Sequence, residues 1–538
     1  MRHFYPILII ALLLSSRAIA FPIETSPERV AELSRTPEWL ALLHFKGNKS
    51  LIQDQSFFLE EEGGLNPENE LLADIIVFQD KRKEIATKQC QFPARVNWIK
   101  HNLPREGLKF TEVRCPELDE YMRSVPLSQV SLVFAAEDIS SPTSMMGHLF
   151  LKLKGEKNHK DFSHSLSFFA NLNNTKNTIS FITGALFTGT SGVYQLQPYE
   201  ERRDEYTNKE HRNIWEYQLN LSKEEMERLK LHIWEMRGVN IAYDLQDNNC
   251  ATSIIRLLLA ADSKMARVLY RPFMAPADVL RVLNEKGMLS NKKFIPSDKY
   301  KQGYAESPED VARKGNIFLK KPHSMRLETD YMFGTGPDAF RLRLSPAYND
   351  LMDISDYTQQ DYSVQLFNIE ALVATDMKKA HLGRFEILSV QSYVPAQVFG
   401  KEYSKSFKIG LENSGFGLGE RTVYPRVFAG VGKTFALLNA SIKPFAFIRA
   451  GYSYYHSSSV LSAIPEVGAI LDEGEIGKTL VGASKSINTA RYKYDQMLRF
   501  SQAFYLTRDT NLTLGCQITK DGNHRHWNVC SIGLAKHF

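Results

Sequence analysis

Hydrophobic and polar positions change their spacing along the chain, and the changes divide it into regions. Between residues 21 and 120 apolar residues recur at helical spacing, as in segments 37–44 and 70–78. This pattern predicts a mostly helical lead-in domain. From residue 325 to the end, segments of about ten residues alternate between apolar and polar positions, with turn residues between them. That pattern predicts an all-β region.

The middle of the chain mixes the two spacings. Segment 130–136 is typical of a buried strand, and 148–154 and 162–170 predict two further strands joined by a loop at 155–161. Ser222 and Glu225 form a capping-box pattern that opens a helix. We therefore predict an α+β domain over residues 121–320, between the lead-in at 21–120 and the β-region at 325–538.

The C-terminal region contains about twelve alternating segments, which is typical of an even-stranded outer-membrane barrel. The chain ends in a strand closed by Phe538, as outer-membrane barrels often end in an aromatic residue. A large soluble β-sandwich has the same alternation, and we favour the membrane barrel of about twelve strands.

The N-terminus indicates export. A basic start is followed by an apolar run over residues 4–14 and by an Ala-Ile-Ala end at 18–20, which predicts a signal peptide at 1–20. No later segment has the ~18 uninterrupted apolar residues of a spanning helix. We expect an exported protein that attaches to the outer membrane by something other than a helix.

Charge and composition call for no nucleic acid, metal or cofactor. The formal net charge of +5 is small for 538 residues and is not concentrated in a basic run. His524 and His526 are spaced as a two-point ligand pair, but we interpret them as part of a solvated loop.

The five cysteines are an odd set in a disulfide-permissive compartment. Cys516 and Cys530 flank a turn signal at 521–523, and a hairpin centred there places them opposite each other. Cys90 and Cys115 share one short region and form the second expected pair. Cys250 is left over, and a persistent free thiol calls for a reason such as catalysis.

Cys250 follows Asn248 and Asn249, which are good N-cap residues, so it is expected in the first turn of a helix. Free N–H groups and the helix dipole there favour the thiolate. A half-buried structural cysteine has the same pattern. His148 lies at a strand entrance directly after Gly147 and is the candidate general base, although a lone histidine there is often structural.

Three motifs stand out, and they are Ser144-x-x-Gly147-His148-x-Phe150-Leu151, Asn213-Ile-Trp215-Glu216-Tyr217-x-Leu219-Asn220-Leu221-Ser222 and Asp247-x-Asn249-Cys250. Two lead-in pieces begin at Cys90 and Cys115. Together these stretches resemble the periplasmic domain of Lnb-type lipoprotein N-acyltransferases over residues 30–285. The resemblance implies a permuted papain-like fold of the NlpC type, with Cys250 as nucleophile and His148 as its base.

The third, orienting group is left open. A 155–161 loop puts Lys154 opposite Phe162 and His148 opposite Phe168. Ser167 is then nearest to His148, where the family usually has asparagine, and His164 lies farther along the strand.

We expect thiol-dependent acyl transfer on the periplasmic side of the outer membrane, with backbone N–H groups at the Cys250 helix start binding the oxyanion. Phospholipid is the hypothetical donor and a lipoprotein the hypothetical acceptor. The named acyltransferases carry membrane helices after this domain, whereas this chain carries a barrel-like region, so the substrate need not be shared. The alternatives are a cysteine hydrolase of cell-wall peptide or lipid ester, and a non-catalytic barrel with a binding domain.

Overall fold

The structure is a computed structural model, and it describes residues 26–103, 108–137, 146–157, 160–171, 184, 189–269, 273–303, 307–308, 311–312, 319, 322–354, 361–395, 403–413, 422–438, 440–455, 457–489, 496–520 and 526–538. The predicted signal peptide, Ser144, the turn at 521–523 and His524 lie outside the described residues.

The lead-in region is helical apart from one small hairpin. Three of its helices begin with a proline that follows a capping Ser, Thr or Asn side chain, which satisfies free N–H groups of the first turn. The elements are α1 Pro27–Leu33, α2 Pro37–Leu42, β1 Phe45–Lys46, β2 Lys49–Ser50, a 3₁₀ turn Gln55–Phe57, α3 Pro67–Gln79, α4 Lys83–Ala86, α5 Lys88–Gln91, α6 Pro93–Asn102 and α7 Pro116–Ser124.

The middle region is an α/β unit around one antiparallel sheet. Its strands are β3 Gln129–Ala135, β4 His148–Lys157, β5 Lys160–Ala170, β6 Thr190–Pro198, β7 Ile214–Leu219, β8 Ile241–Tyr243 and β9 Leu289–Ile295. They lie in the order β8-β6-β5-β4-β3-β7-β9. The helices are α8 Tyr199–Asp204, which runs into a π-helical turn Glu205–Lys209, then α9 Lys223–Glu235, α10 Cys250–Leu259, a 3₁₀ helix Ser263–Arg267, α11 Pro276–Glu285 and α12 Asp298–Gly303.

The two faces of this sheet bury different residues. One face packs Leu132 and Leu151 against α10 and against lead-in side chains such as Trp39, in one continuous core. The opposite face packs Phe150 against Tyr206 of the π-helical turn in a smaller cluster. The boundary predicted near residue 120 therefore falls within a shared core.

The predicted register between β4 and β5 is wrong by one residue. The two strands extend to Lys157 and Lys160, so Lys154 pairs with Ser163 and not with Phe162. A slip of one residue moves every side chain to the other face of the sheet. The residue that meets His148 is consequently Phe169, whereas Phe168 packs in the core on the other face.

Residues 326–537 form a closed antiparallel barrel. Its strands are β10 Arg326–Gly334, β11 Ala339–Ser345, β12 Ala347–Asn349, β13 Asp361–Ala374, β14 Ala380–Tyr393, β15 Ser404–Asn413, β16 Val423–Thr434, β17 Ile442–Tyr455, β18 Ser458–Asp472, β19 Gly477–Lys485, β20 Ile487–Asn488, β21 Gln496–Thr507, β22 Thr510–Lys520 and β23 His526–His537.

Pairing of β11 with β13 closes the ring, and the short strands β12 and β20 add to β13 and β18. Within the described part of the chain the ring has twelve strands, as predicted. The soluble sandwich is excluded, because one sheet closes on itself.

Side chains alternate between the two sides of the barrel wall. Ile448, Leu461 and Val467 point outward and are 57%, 60% and 58% exposed. Inward positions carry ion pairs, such as Arg499 Nη2 to Glu466 Oε1 at 2.6 Å, with Arg449 on the same carboxylate. An apolar exterior of this extent is typical of a barrel surrounded by lipid.

Both predicted disulfides are confirmed. Cys90 is bonded to Cys115, and Cys516 is bonded to Cys530 at directly paired positions of β22 and β23. Cys250 is the free cysteine.

Among the described helices, none is long and apolar enough to cross a membrane.

Polar contacts hold the α/β unit to the barrel near the first barrel strand. Asp278 of α11 accepts a hydrogen bond from the backbone of Ser324 at 3.1 Å. His323 Nδ1 lies 3.0 Å from Asp509 Oδ1 in the turn between β21 and β22. Arg508 in the same turn pairs with Glu285 at 2.7 Å. The end of the barrel at which β10 begins therefore faces the α/β unit.

Candidate active site

Cys250 is the first residue of α10, as the N-cap pattern predicts. The Asn249 side chain accepts hydrogen bonds from the N–H groups of Ala251 at 3.0 Å and Thr252 at 3.2 Å. Thr252 Oγ1 accepts the Asn249 N–H at 3.0 Å in return. This reciprocal cap fixes the start of the helix, and with it the position of the thiol.

The turn before Cys250 is also built from hydrogen bonds. Asp244 Oδ1 accepts the backbone N–H groups of Gln246 at 2.9 Å and Asp247 at 2.5 Å. Asn248 Oδ1 accepts a hydrogen bond from Ser253 Oγ at 3.0 Å. These contacts explain Asp244, Asn248 and Asn249, because their short polar side chains satisfy backbone or helix-start groups, while Asp247 pairs with Lys46 at 2.6 Å.

The sulfur of Cys250 lies at the entrance of β4. It lies close to the backbone N–H of Leu149, a residue beyond the last β4–β5 ladder pair, which is Leu151–Leu166. Cys250 is buried, and burial raises the pKa of its thiol above the ordinary value, while the Leu149 N–H and the Arg212 charge lower it less. The thiolate expected at a helix N-terminus is therefore not favoured, since desolvation outweighs the favourable contacts.

His148 lies in an aromatic cage. Its ring stacks on Phe169 with 4.8 Å between centroids and 9° between planes, and Phe150 and Tyr206 lie within 6.0 Å. Burial, followed by the charges of Arg212 and Arg202, holds the pKa of the imidazole well below its usual range. Buried Nε2 makes no hydrogen bond to a described residue. The histidine is thus neutral at physiological pH.

The charge of Arg212 lowers the pKa of both Cys250 and His148. The sequence analysis missed this residue. Its Nε donates to the carbonyl of Ala136 at 2.6 Å and its Nη2 to that of Ala135 at 3.1 Å. Ala135 is the residue paired with His148 across β3 and β4. The only sequence signal was a basic residue directly before the Asn213 motif, and that does not reveal a contact with β3.

The two candidate orienting residues do not meet the His148 ring. Ser167 is fully buried and its Oγ makes no hydrogen bond to a described residue, but the Phe169 ring occupies the position against the imidazole. His164 is paired with Leu153 and lies edge-on to Phe162 at 4.8 Å, on the opposite side of the sheet from Phe169. Among the described residues, stacking on Phe169 orients the histidine.

The candidate site lies next to the barrel wall. Met146, Leu245 and Phe273, from the loops around His148 and Cys250, pack against Leu366 of β13. Met146 also packs against Tyr362 and Val364 of β13. Intervening residues of β13, such as Ser363 and Gln365, line the lumen, so Tyr362, Val364 and Leu366 point outward. The Cys250 turn therefore lies against the outer, apolar side of the barrel wall.

Alkylation of Cys250 is expected to rise with pH and to reach its midpoint above that of a free cysteine. The reason is that burial stabilises the neutral thiol, so less of the reactive thiolate is present at a given pH. The measurement is the rate of iodoacetamide labelling of native protein between pH 6 and about pH 10, with N-acetylcysteine as the reference thiol. A plateau of fast labelling below pH 7 would contradict the buried neutral state.

Among the described residues no three His, Cys, Asp or Glu side chains converge as metal ligands. His526, the described member of the pair considered in the sequence, begins strand β23.

Three family models match successive parts of the chain. Residues 117–286 match the Lnb N-terminal periplasmic domain. Residues 31–102 and 322–535 match two domains of unknown function, DUF7843 and DUF7840. No curated protein matches the chain.

Solved structures with similarity to the chain include porins. A NanC porin is 9% identical with a TM-score of 0.27, over 40% of this chain and 100% of that one. A KdgM porin is 9% identical with a TM-score of 0.25, over 40% and 99%. A loop-deletion mutant of OmpT, an outer membrane protein of Vibrio cholerae, is 8% identical with a TM-score of 0.23, over 40% and 97%.

The family-model match confirms the Lnb-type resemblance seen in the motifs for residues 117–286, the segment that holds both His148 and Cys250.

Proposed function

We propose that the protein is a thiol-dependent acyltransferase, held at the outer membrane with its catalytic unit on the periplasmic side. One observation carries the proposal. The single free cysteine is fixed at a capped helix start, and the backbone N–H of Leu149, the strand residue that follows His148, lies near enough to lower the pKa of its thiol. The match of this segment to the Lnb periplasmic domain supports the same assignment.

In the proposed first half-reaction Cys250 Sγ attacks the carbonyl carbon of an ester. The thiol proton passes to His148, which is neutral and therefore able to accept it. Collapse of the tetrahedral intermediate breaks the ester C–O bond, and His148 returns the proton to the leaving alkoxide. The products are a thioester on Cys250 and a free alcohol.

In the second half-reaction an amine attacks the thioester carbonyl carbon. His148 takes the ammonium proton of the intermediate and passes it to the departing Cys250 sulfur. The product is an amide, and the thiol and neutral imidazole are restored. Because both groups start neutral, proton transfer accompanies attack in each half-reaction.

Two of the N–H groups at the Cys250 helix start are already used within the cap. The N–H groups of Ala251 and Thr252 already donate to Asn249, so they are occupied. We assign the role to the N–H of Leu149 and to that of Cys250 itself, because both lie near enough to the sulfur to lower the pKa of its thiol. This arrangement takes one donor from β4 and one from α10.

The contact with the barrel favours a lipid donor. Since the Cys250 turn lies beside an outward, apolar part of the wall, a membrane phospholipid is the ester within reach, and a lipoprotein α-amino group is the acceptor that we assign. A permuted papain-like arrangement of the catalytic unit is part of this proposal. Among the described residues no contact favours cell-wall peptide over lipid.

The test uses full-length protein in mixed micelles of detergent and a phospholipid with an isotope-labelled acyl chain, together with a synthetic diacylated lipopeptide that has a free α-amino group. We expect label on the peptide amine and an equal amount of lysophospholipid. Release of labelled free fatty acid alone would identify a hydrolase. If the protein consumes neither the phospholipid nor a cell-wall peptide substrate, the remaining interpretation is a non-catalytic binding domain.

A further inference from the structure

A short segment lies inside the barrel at the end that faces the α/β unit. Residues 350–353 follow β12 and cross the lumen. Lys478 of β19 donates from Nζ to the backbone carbonyls of Leu351 at 3.0 Å and Asp353 at 2.9 Å. The same ammonium bonds Asp361 Oδ1 of β13 at 3.0 Å. One lysine thus joins the segment to the wall on two sides.

The segment also has an apolar anchor. Leu351 is 7% exposed, and Met352 packs beside it. They contact a cluster of buried side chains from four strands, namely Tyr393 of β14, Phe445 and Phe447 of β17, Ile470 of β18 and Leu480 of β19. Their grouping around Leu351 packs the segment against the wall and closes the cross-section at this level.

Further polar contacts reach other parts of the ring. Gln365 of β13 donates to Asp350 Oδ2 at 2.9 Å, and Tyr505 of β21 donates to the carbonyl of Met352 at 3.0 Å. His537 of β23 lies 3.7 Å from Asp353. Residues 350–353 therefore contact seven strands: β13, β14, β17, β18, β19, β21 and β23. A segment that touches so many strands spans the lumen and does not merely line one side.

The remaining lumen is a cavity of about 970 Å³ lined by both polar and apolar side chains, and residues 350–352 form part of its lining. Opposed charges such as Arg341 and Asp330, 2.9 Å apart, project into it. Water and small ions are compatible with such a surface. The closed cross-section at residues 350–353 is thus the element that separates a hydrated lumen from the side of the catalytic unit.

We propose that residues 350–353 are a plug that seals the barrel against ion flow, and that Lys478 is the latch that keeps the plug closed. The contacts of the lysine include two plug carbonyls and one wall carboxylate, so its removal frees the carbonyls of Leu351 and Asp353 while Lys443 still neutralises Asp361. The barrel is then a sealed anchor in its resting state and not an open pore. This inference is independent of the acyl-transfer proposal.

The test is single-channel recording of full-length protein in planar lipid bilayers. We expect the wild-type protein to show no conductance steps and Lys478→Met to show repeated openings. Lys485→Met is the matched control, because this lysine is exposed on the same strand, and it is expected to stay silent. Heat-modifiable gel mobility checks that each variant retains a folded barrel.

A second variant replaces residues 350–353 with Gly-Ser-Gly-Ser, and it is expected to conduct continuously. Steady conductance by the wild-type protein would overturn the seal. Silence of the Gly-Ser variant with a folded barrel would do the same, since another element would then close the lumen. Openings in the Gly-Ser variant but not in Lys478→Met would overturn the role of the lysine as the latch.

Discussion

Cys250→Ala is expected to abolish acyl transfer, lowering the rate by on the order of 10³-fold or more, because the substitution removes the atom that forms the acyl-enzyme. His148→Ala is expected to lower the rate by a similar factor, since the buried neutral thiol then has no base to accept its proton. The measurement is the initial rate of label transfer from phospholipid to lipopeptide.

The double variant of Cys250 and His148 tests whether the two residues act in the same step. Two residues that act in one step lose their effects together, so the double variant is expected to be no slower than Cys250→Ala alone. His101→Ala, which changes an exposed histidine of the lead-in helix α6, is the control for loss of a histidine and should keep full activity. Residual transfer by folded Cys250→Ala above about a tenth of the wild-type rate would place the chemistry elsewhere.

Arg95→Met is expected to destabilise the lead-in and α/β core by about 3 to 5 kcal/mol. Arg95 is fully buried, and its guanidinium bonds Glu70 at 2.6 Å and Asp74 at 3.3 Å between the rings of Phe57 and Phe92. Without the guanidinium two buried carboxyl groups lose their cation, and burial already raises the pKa of Asp74 well above its usual value. The backbone N–H of Arg95 also donates to Glu235 of α9, so the cluster ties the lead-in to the α/β unit.

Urea unfolding followed by tryptophan fluorescence measures this effect, because Trp39, Trp98, Trp215 and Trp234 lie in the affected core and only Trp527 lies in the barrel. Arg123→Met is the matched control. Its side chain is 69% exposed and pairs with Glu120 on the surface, so a change of less than about 1 kcal/mol is expected. A similar small change for Arg95→Met would show that the buried charges are solvated in another way.

The features that the sequence could predict are those set by local pattern. Alternation over residues 325–538 predicted a barrel of about twelve strands, because lumen and lipid impose opposite polarity on successive residues. The Asn249 cap placed Cys250 at a helix start, and the turn at 521–523 placed Cys516 opposite Cys530. Each of these depends on contacts between residues that are close along the chain or across one hairpin.

The features that escaped prediction depend on packing. A shift of one residue in the register between β4 and β5 exchanged Phe168 for Phe169 against His148, and no periodicity argument fixes a register to one residue. Burial reversed the expected direction of the Cys250 pKa, since desolvation is invisible in a capping motif. Arg212 bonds a carbonyl at the end of β3 that is 76 residues away along the chain, and Lys478 is 127 residues away from the carbonyl of Leu351 that it bonds.

The most direct test of the central claim is intact-mass analysis of the full-length protein after brief incubation with phospholipid and no amine acceptor. The account predicts one added acyl chain, mapped by peptide analysis to Cys250, released by hydroxylamine at neutral pH as a thioester, and transferred when the lipopeptide is added. An acyl adduct on another residue, or phospholipid consumed by wild-type protein with an unmodified Cys250 and the same rate in Cys250→Ala, would contradict the account.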